Sequence, residues 1–148
     1  MEEQSRKLTN RASLVAAVAA FITQPIPAAD ELIVVPINYW LVKRIAKARG
    51  VDPKTLPWKS IRKIVWYGAA ARLVANFSIG LVPVAGSFAN SVTAIALTEF
   101  LGQWIDAYLE APHSPPADVT MEGLKRIFTQ ALAKKKAEQT AQTAEQTA

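Results

Sequence analysis

The sequence predicts an all-α domain of five helices, built from two pseudo-repeated apolar helical hairpins and a C-terminal amphipathic helix. Three observations predict it. The pattern [Ile/Val]-Pro-x-Ala-[Asp/Gly] occurs twice, at Ile26-Pro27-Ala28-Ala29-Asp30 and Val82-Pro83-Val84-Ala85-Gly86, at an offset of 56 residues. Each copy joins two apolar runs, Leu14 to Ile22 with Leu32 to Val42 and Leu73 to Leu81 with Phe88 to Leu101. Small residues also recur at helical spacing, and Met121, Leu124, Ile127, Phe128, Ala131 and Leu132 draw an apolar stripe near the C-terminus.

With 148 residues the chain makes one domain with a single core. Residues 1–9 read as a polar segment. The helical domain is expected over 10–136, with a first hairpin at 10–50, a second at 58–110 and the C-terminal helix at 118–136. The Ala-Glu-Gln-Thr repeats of 137–148 have nothing to bury and are expected to be disordered.

The first helix is expected from Asn10 to Ile22, where Ala12, Ala16, Ala19 and Ala20 allow close approach of a partner helix. Gln24-Pro25-Ile26-Pro27 ends it, because a residue before proline is pushed out of the α region. Asp30 is placed to cap a second helix that runs to about Arg49, with Gly50 as its stop. Pro36, inside that helix, predicts a kink or a later start. The turn 51–57 leads into a third helix from about Trp58 to Phe77. In the fourth, Ser87, Ser91, Ala94, Thr98 and Gly102 form another small-residue face. The linker 111–116 is rich in proline, and Thr120 is a candidate cap for the last helix.

Net charge is +5, and its placement is uneven. Lys43, Arg44, Lys47, Arg49, Lys54, Lys59, Arg62 and Lys63 lie within 21 positions, opposed in that stretch only by Asp52. Bases at the end of the second helix suit its dipole, whereas Lys59, Arg62 and Lys63 begin a helix, where the dipole disfavours them. Trp40, Trp58, Trp66 and Tyr67 surround the cluster. Tryptophan and tyrosine favour the headgroup level of a bilayer, and each base at an anionic surface contributes about 1 kcal/mol before screening. The preferred reading of Lys43 to Lys63 with Trp40 and Trp58 is therefore a membrane-surface site for anionic lipid. A solvated helix corner is the alternative, and nucleic acid is not expected as a partner.

Between Ile64 and Thr98 the only charge is Arg72. The break at Gly80 to Pro83 leaves about 16 residues on either side, about 24 Å of helix against the roughly 30 Å of a hydrocarbon core. Complete spans are marginal, so a re-entrant hairpin or a buried core is expected, with Pro27, Ala29, Asp30, Pro83, Ala85 and Gly86 at the bends. Arg72 faces the same way as Ile61, Val65 and Gly68. A buried guanidinium needs a carboxylate, and among Asp30, Glu31 and Glu99 the expected partner is Asp30, in an internal ion pair. No catalytic or metal-binding set is present. The sole histidine, His113, lies in the linker, the Asp30-Glu31 pair is explained by capping, and no phosphate loop occurs. No enzyme activity, cofactor or small-molecule substrate is expected. There is no cysteine, and the N-terminus lacks a convincing cleavage site, so no signal peptide is expected.

At Pro25 to Asp30, Pro36-Ile37 and Val82 to Gly86, the chain resembles the YcjF-like, GTPase-associated bacterial family of unknown function. Ile45-Ala46 before Gly50, Asn90 and Ala94, Thr98-x-x-Leu101-Gly102 and the Met121 to Leu132 helix extend the resemblance over about 12–132. It implies an α-helical hairpin domain, frequently membrane-associated, acting beside a GTPase. This chain lacks the GTPase domain, so nucleotide hydrolysis would belong to a partner, and the resemblance supplies no catalytic residues. The expected function is a non-enzymatic module on the cytoplasmic face of a bacterial inner membrane, peripheral or monotopic, with the apolar hairpins in lipid or against a second copy. The alternative is a soluble cytoplasmic adaptor that binds a protein through its small-residue face or its C-terminal helix.

Overall fold

The computed structural model of the protein describes residues 2–22, 31–79, 83–112, 116 and 119–147, without the side chains of 75–79, 83–88, 139 and 142–147. Among the described residues the chain is all-helical: α1 (Glu3–Ile22), α2 (Glu31–Ala48), a 3-10 turn (Pro53–Thr55), α3 (Trp58–Ile79), α4 (Pro83–Glu110) and α5 (Met121–Thr147).

Helix α4 is the centre of the bundle and touches each of the other four. It is the most apolar helix and has almost no amphipathic bias, as expected for a helix buried on several sides. The main core joins Leu41, Val42 and Ile45 of α2, Ile61, Ile64 and Val65 of α3, Leu97, Leu101 and Ile105 of α4, and Leu124 and Phe128 of α5.

Helix α1 packs chiefly on α4 and less on α2, so the main α1 seam crosses from one sequence hairpin to the other. The two helices run antiparallel. Ser91 donates to the Ala17 carbonyl at 3.2 Å and Asn90 to the Ala20 carbonyl at 3.0 Å, while Gly102 lies opposite Thr9. A Cβ on Gly102 would collide with the Thr9 side chain, and one on Gly68 would collide with Leu97. Small residues thus let the backbones approach. On α1 the buried set is Ser5, Thr9, Ala12, Ser13, Ala16 and Ala20, which departs from the expected stripe at Ala19.

That seam corrects the N-terminal boundary. Residues 3–9 belong to α1, not to a detached polar segment, because Ser5 and Thr9 are small enough to continue the seam toward α4. The C-terminal boundary also changes: α5 continues past Lys136 to Thr147 instead of giving way to a disordered tail. Alanine, glutamate, glutamine and lysine are strong helix formers, and Lys135 bonds Glu138 one turn on at 2.8 Å. From 133 to 137 the helix is exposed, so local propensity carries it.

The remaining punctuation follows local chemistry. Gly50 adopts φ 70°, the left-handed conformation of a helix stop. Asp52 accepts from the Lys54 amide at 3.0 Å and caps the 3-10 turn, and Thr120 accepts from the Gly123 amide at 3.1 Å at the head of α5. Pro36 lies within α2, and α4 opens on Pro83, a residue suited to a first helical position. Ala85 and Gly86 therefore belong to the first turn of α4 and not to a bend before it. Pro27, Ala29, Asp30 and His113 lie outside the described residues.

Candidate membrane-facing site

The antiparallel helices give the bundle two chemically different ends. At one end lie the start of α1, the end of α2, the start of α3 and the end of α4. Here Arg49 is the hub of an ion cluster. Its Nη2 donates to Asp106 at 2.7 Å and to Glu110 at 3.1 Å, its Nε donates to Asp106 at 3.1 Å, and its Nη1 lies 3.2 Å from Glu2. The Arg49 side chain is 14% exposed and that of Asp106 only 1%. Burial pushes the Asp106 carboxyl up, but the Arg49 hydrogen bond, joined by Ser5 and nearby positive charge, outweighs it and holds the pKa below its ordinary value. The hydrogen bond to Asp106 raises the Arg49 pKa in return. Arg49 therefore does not belong with the outward-facing bases: its charge is compensated within the protein, tying the ends of α1, α2 and α4 together.

The other bases fall into two outward stripes. On α2, Trp40, Lys43, Arg44 and Lys47 are exposed at spacings of one turn, with the Arg44 guanidinium 5.3 Å above the Trp40 ring. On α3, Lys59, Arg62 and Trp66 are exposed, and the half-buried Lys63 lies 5.7 Å over Tyr67. Lys54 is exposed in the intervening turn. Because α2 and α3 run antiparallel, both stripes pass from base to aromatic in the same direction along the bundle. Trp58 departs from the expectation. Its indole N–H is bound to the Pro53 carbonyl at 2.9 Å and its ring packs 6.1 Å from Tyr39, so it covers the core instead of presenting a free indole. Burial pushes the Tyr39 hydroxyl pKa up, against the lowering influence of nearby Arg62.

Beyond the aromatic level, toward the other end, exposed charge stops among the described residues. Within 12–22, 31–42, 64–74 and 89–98, every exposed residue is apolar: Leu14, Val15, Val18, Phe21 and Ile22 on α1, Leu32, Ile33, Pro36 and Trp40 on α2, and Trp66 and Val74 on α3. Leu32 is 78% exposed and Ile22 69%. Exposed apolar residues gathered on packed neighbours such as α1 and α2 mark an interaction face.

Among the described residues of this apolar end, Arg72, Asn90 and Thr93 are turned inward. Arg72 is fully buried, with Nη1 3.0 Å from Glu31 Oε1 and Nη2 donating to Asn90 Oδ1 at 2.8 Å, while its Nε donates to Thr93 Oγ1 at 3.4 Å. Asn90 in turn donates to the Ala20 carbonyl. The network joins α1, α2, α3 and α4. Among the described residues Glu31, whose side chain is 12% exposed, places a carboxylate on Arg72; the expected partner, Asp30, lies outside the described residues.

Sequence reasoning overlooked the outward face of α1. Its signal was present as the complement of the small-residue stripe: Leu14, Val15, Val18, Phe21 and Ile22 follow the i, i+1, i+4, i+7, i+8 pattern of one helical face. Among the described residues no helix is long and apolar enough to cross a membrane, and no group of acidic or histidine residues could hold a metal ion. Comparisons with protein-family models, curated proteins and solved structures find no match.

Proposed function

We propose that the protein is a non-enzymatic, monotopic membrane module that inserts its apolar end into one leaflet and holds its basic collar at the anionic headgroups. The observation that carries this reading is the division of exposed residues into an apolar end and a basic border. From Ala12 to Ile22 the apolar part of α1 has 11 residues, about 16 Å of helix, against roughly 15 Å for half a hydrocarbon core. The bases beyond Trp40 and Trp66 then fall at the depth where lipid phosphates lie. The inward Arg72 network supports the same placement, since polar groups surrounded by lipid need protein partners. The resemblance adds a GTPase as the partner such a module would serve, with hydrolysis left to that partner.

Vesicle flotation tests this reading. The protein should rise with phosphatidylglycerol-containing vesicles, and salt should weaken but not abolish binding, because screening acts on the collar and not on buried apolar contact. Replacing Lys43, Arg44, Lys47 and Lys59 together with Gln should cut binding by at least about tenfold, as the charges contribute about 1 kcal/mol each before screening. Equal flotation of wild type and variant would refute the electrostatic part. A protein that floats with no vesicle would refute the membrane reading and turn the apolar face into a site for a protein partner.

A further inference from the structure

At the border between the two ends, α1 and α2 leave a groove of about 390 Å³, lined by Arg11, Ala12, Val15, Pro36, Ile37 and Trp40. That volume lies in the range of small-molecule sites. Its wall is almost entirely carbon, as expected where the exposed Arg11 lines it with its methylene stem and keeps its guanidinium toward water. Arg44 is close to the same mouth, because it stacks on Trp40. The groove therefore has a charged end and an apolar end, in the same order as the molecule around it.

We propose that this groove binds one acyl chain of an individual anionic phospholipid, whose phosphate is held at the mouth by Arg11 and Arg44. The proposal rests on the membrane reading and adds to it a site with its own occupancy and headgroup preference. The wall offers no hydrogen-bonding group to orient a polar ligand, which favours a hydrocarbon chain. Two exposed guanidiniums near one end favour an anion there, and guanidinium matches phosphate with paired donors. A lipid satisfies both demands with the direction it already has in a leaflet: chain toward the apolar end, phosphate toward the collar.

The test uses the full chain bound to phosphatidylcholine vesicles carrying a trace of phosphatidylglycerol with a photoactivatable group in its acyl chain. Labelled positions are read by peptide mass spectrometry. Labelling at Val15, Ile37 and Trp40 should saturate, and unlabelled phosphatidylglycerol should compete where phosphatidylcholine and inorganic phosphate do not. Labelling at Phe21 and Leu32 should rise without saturation, because those residues meet bulk lipid. Arg11→Gln, which removes a charged hydrogen bond to phosphate, should lower groove labelling by about tenfold relative to Phe21. Val15→Trp, which fills the groove, should do the same, and both positions are exposed enough for the fold to survive, as circular dichroism would verify.

Groove labelling that never saturates, or that both variants leave intact, would overturn the site while the membrane reading stands. Competition by inorganic phosphate would overturn the lipid assignment in favour of a free anion. Flotation without any groove labelling would also overturn it. Absence of labelling at Phe21 and Leu32 together with failure to float would remove the membrane reading and this proposal with it.

Discussion

Two arginines, Arg72 fully buried and Arg49 partly so, hold the two ends of this bundle, and each acts through residues far from it in sequence. Arg49 meets Asp106 and Arg72 meets Glu31 and Asn90. Asp106→Asn removes the most buried carboxylate on Arg49 but leaves Glu110 and Glu2 beside it, so it should lower the unfolding free energy by about 1–3 kcal/mol in urea titrations. Because the folded pKa of Asp106 is depressed, its contribution is present in full above the unfolded value of about 4 and is lost as pH falls through that value toward the folded one. Wild type should therefore lose stability below about pH 4 more steeply than Asp106→Asn. Replacing Arg72 alone with Met should cost about 3–5 kcal/mol, and adding Glu31→Leu should recover part of that. The need of Arg72 for a carboxylate was legible from its place in an apolar helix. That Glu31 meets this need was not, because only the packing of α2 against α3 and α4 brings the start of α2 to Arg72. Arg49 was misread for a related reason: eight neighbouring bases resemble a surface patch, and Asp106 is 57 positions away.

At the scale of the elements, close approach and local propensity pull in different directions. The α1–α4 seam depends on Gly102 lying against Thr9, so Gly102→Ala should destabilise by about 1–3 kcal/mol through overpacking. Thr9→Ala in the same chain should recover much of it, read as a coupling in a double-mutant cycle. Helix α5 divides into two parts. Leu124 and Phe128 are buried in the main core, and Phe128→Ala should cost about 3–5 kcal/mol. Deleting residues 137–148 should reduce helical circular dichroism while leaving the thermal midpoint nearly unchanged, because the described side chains of that segment reach no core cluster. Helix positions were readable from proline, glycine and capping residues. The ends were not: Ser5 and Thr9 look polar until α4 is beside them, and a segment with nothing to bury is still helical when its residues favour helix.

The whole molecule is amphipathic, although among the described residues no helix is long and apolar enough to cross a membrane. Its sidedness comes from antiparallel packing, which brings the apolar parts of α1, α2 and α3 to one end and leaves Lys43, Arg44, Lys47, Lys59 and Arg62 toward the other. The charge cluster and its tryptophans were legible as sequence. The exposed apolar end was not, since an apolar run reads equally as core or as surface until its neighbours are known. The most direct test of insertion uses the absence of native cysteine: single cysteines are placed at Val18 and at Lys47, each carrying a polarity-sensitive fluorophore, and emission is recorded on phosphatidylglycerol-containing vesicles. Insertion of the apolar end predicts a strong blue shift at position 18 and little change at 47. Emission typical of water at both positions on the vesicle-bound protein, or a blue shift only at 47, would contradict it.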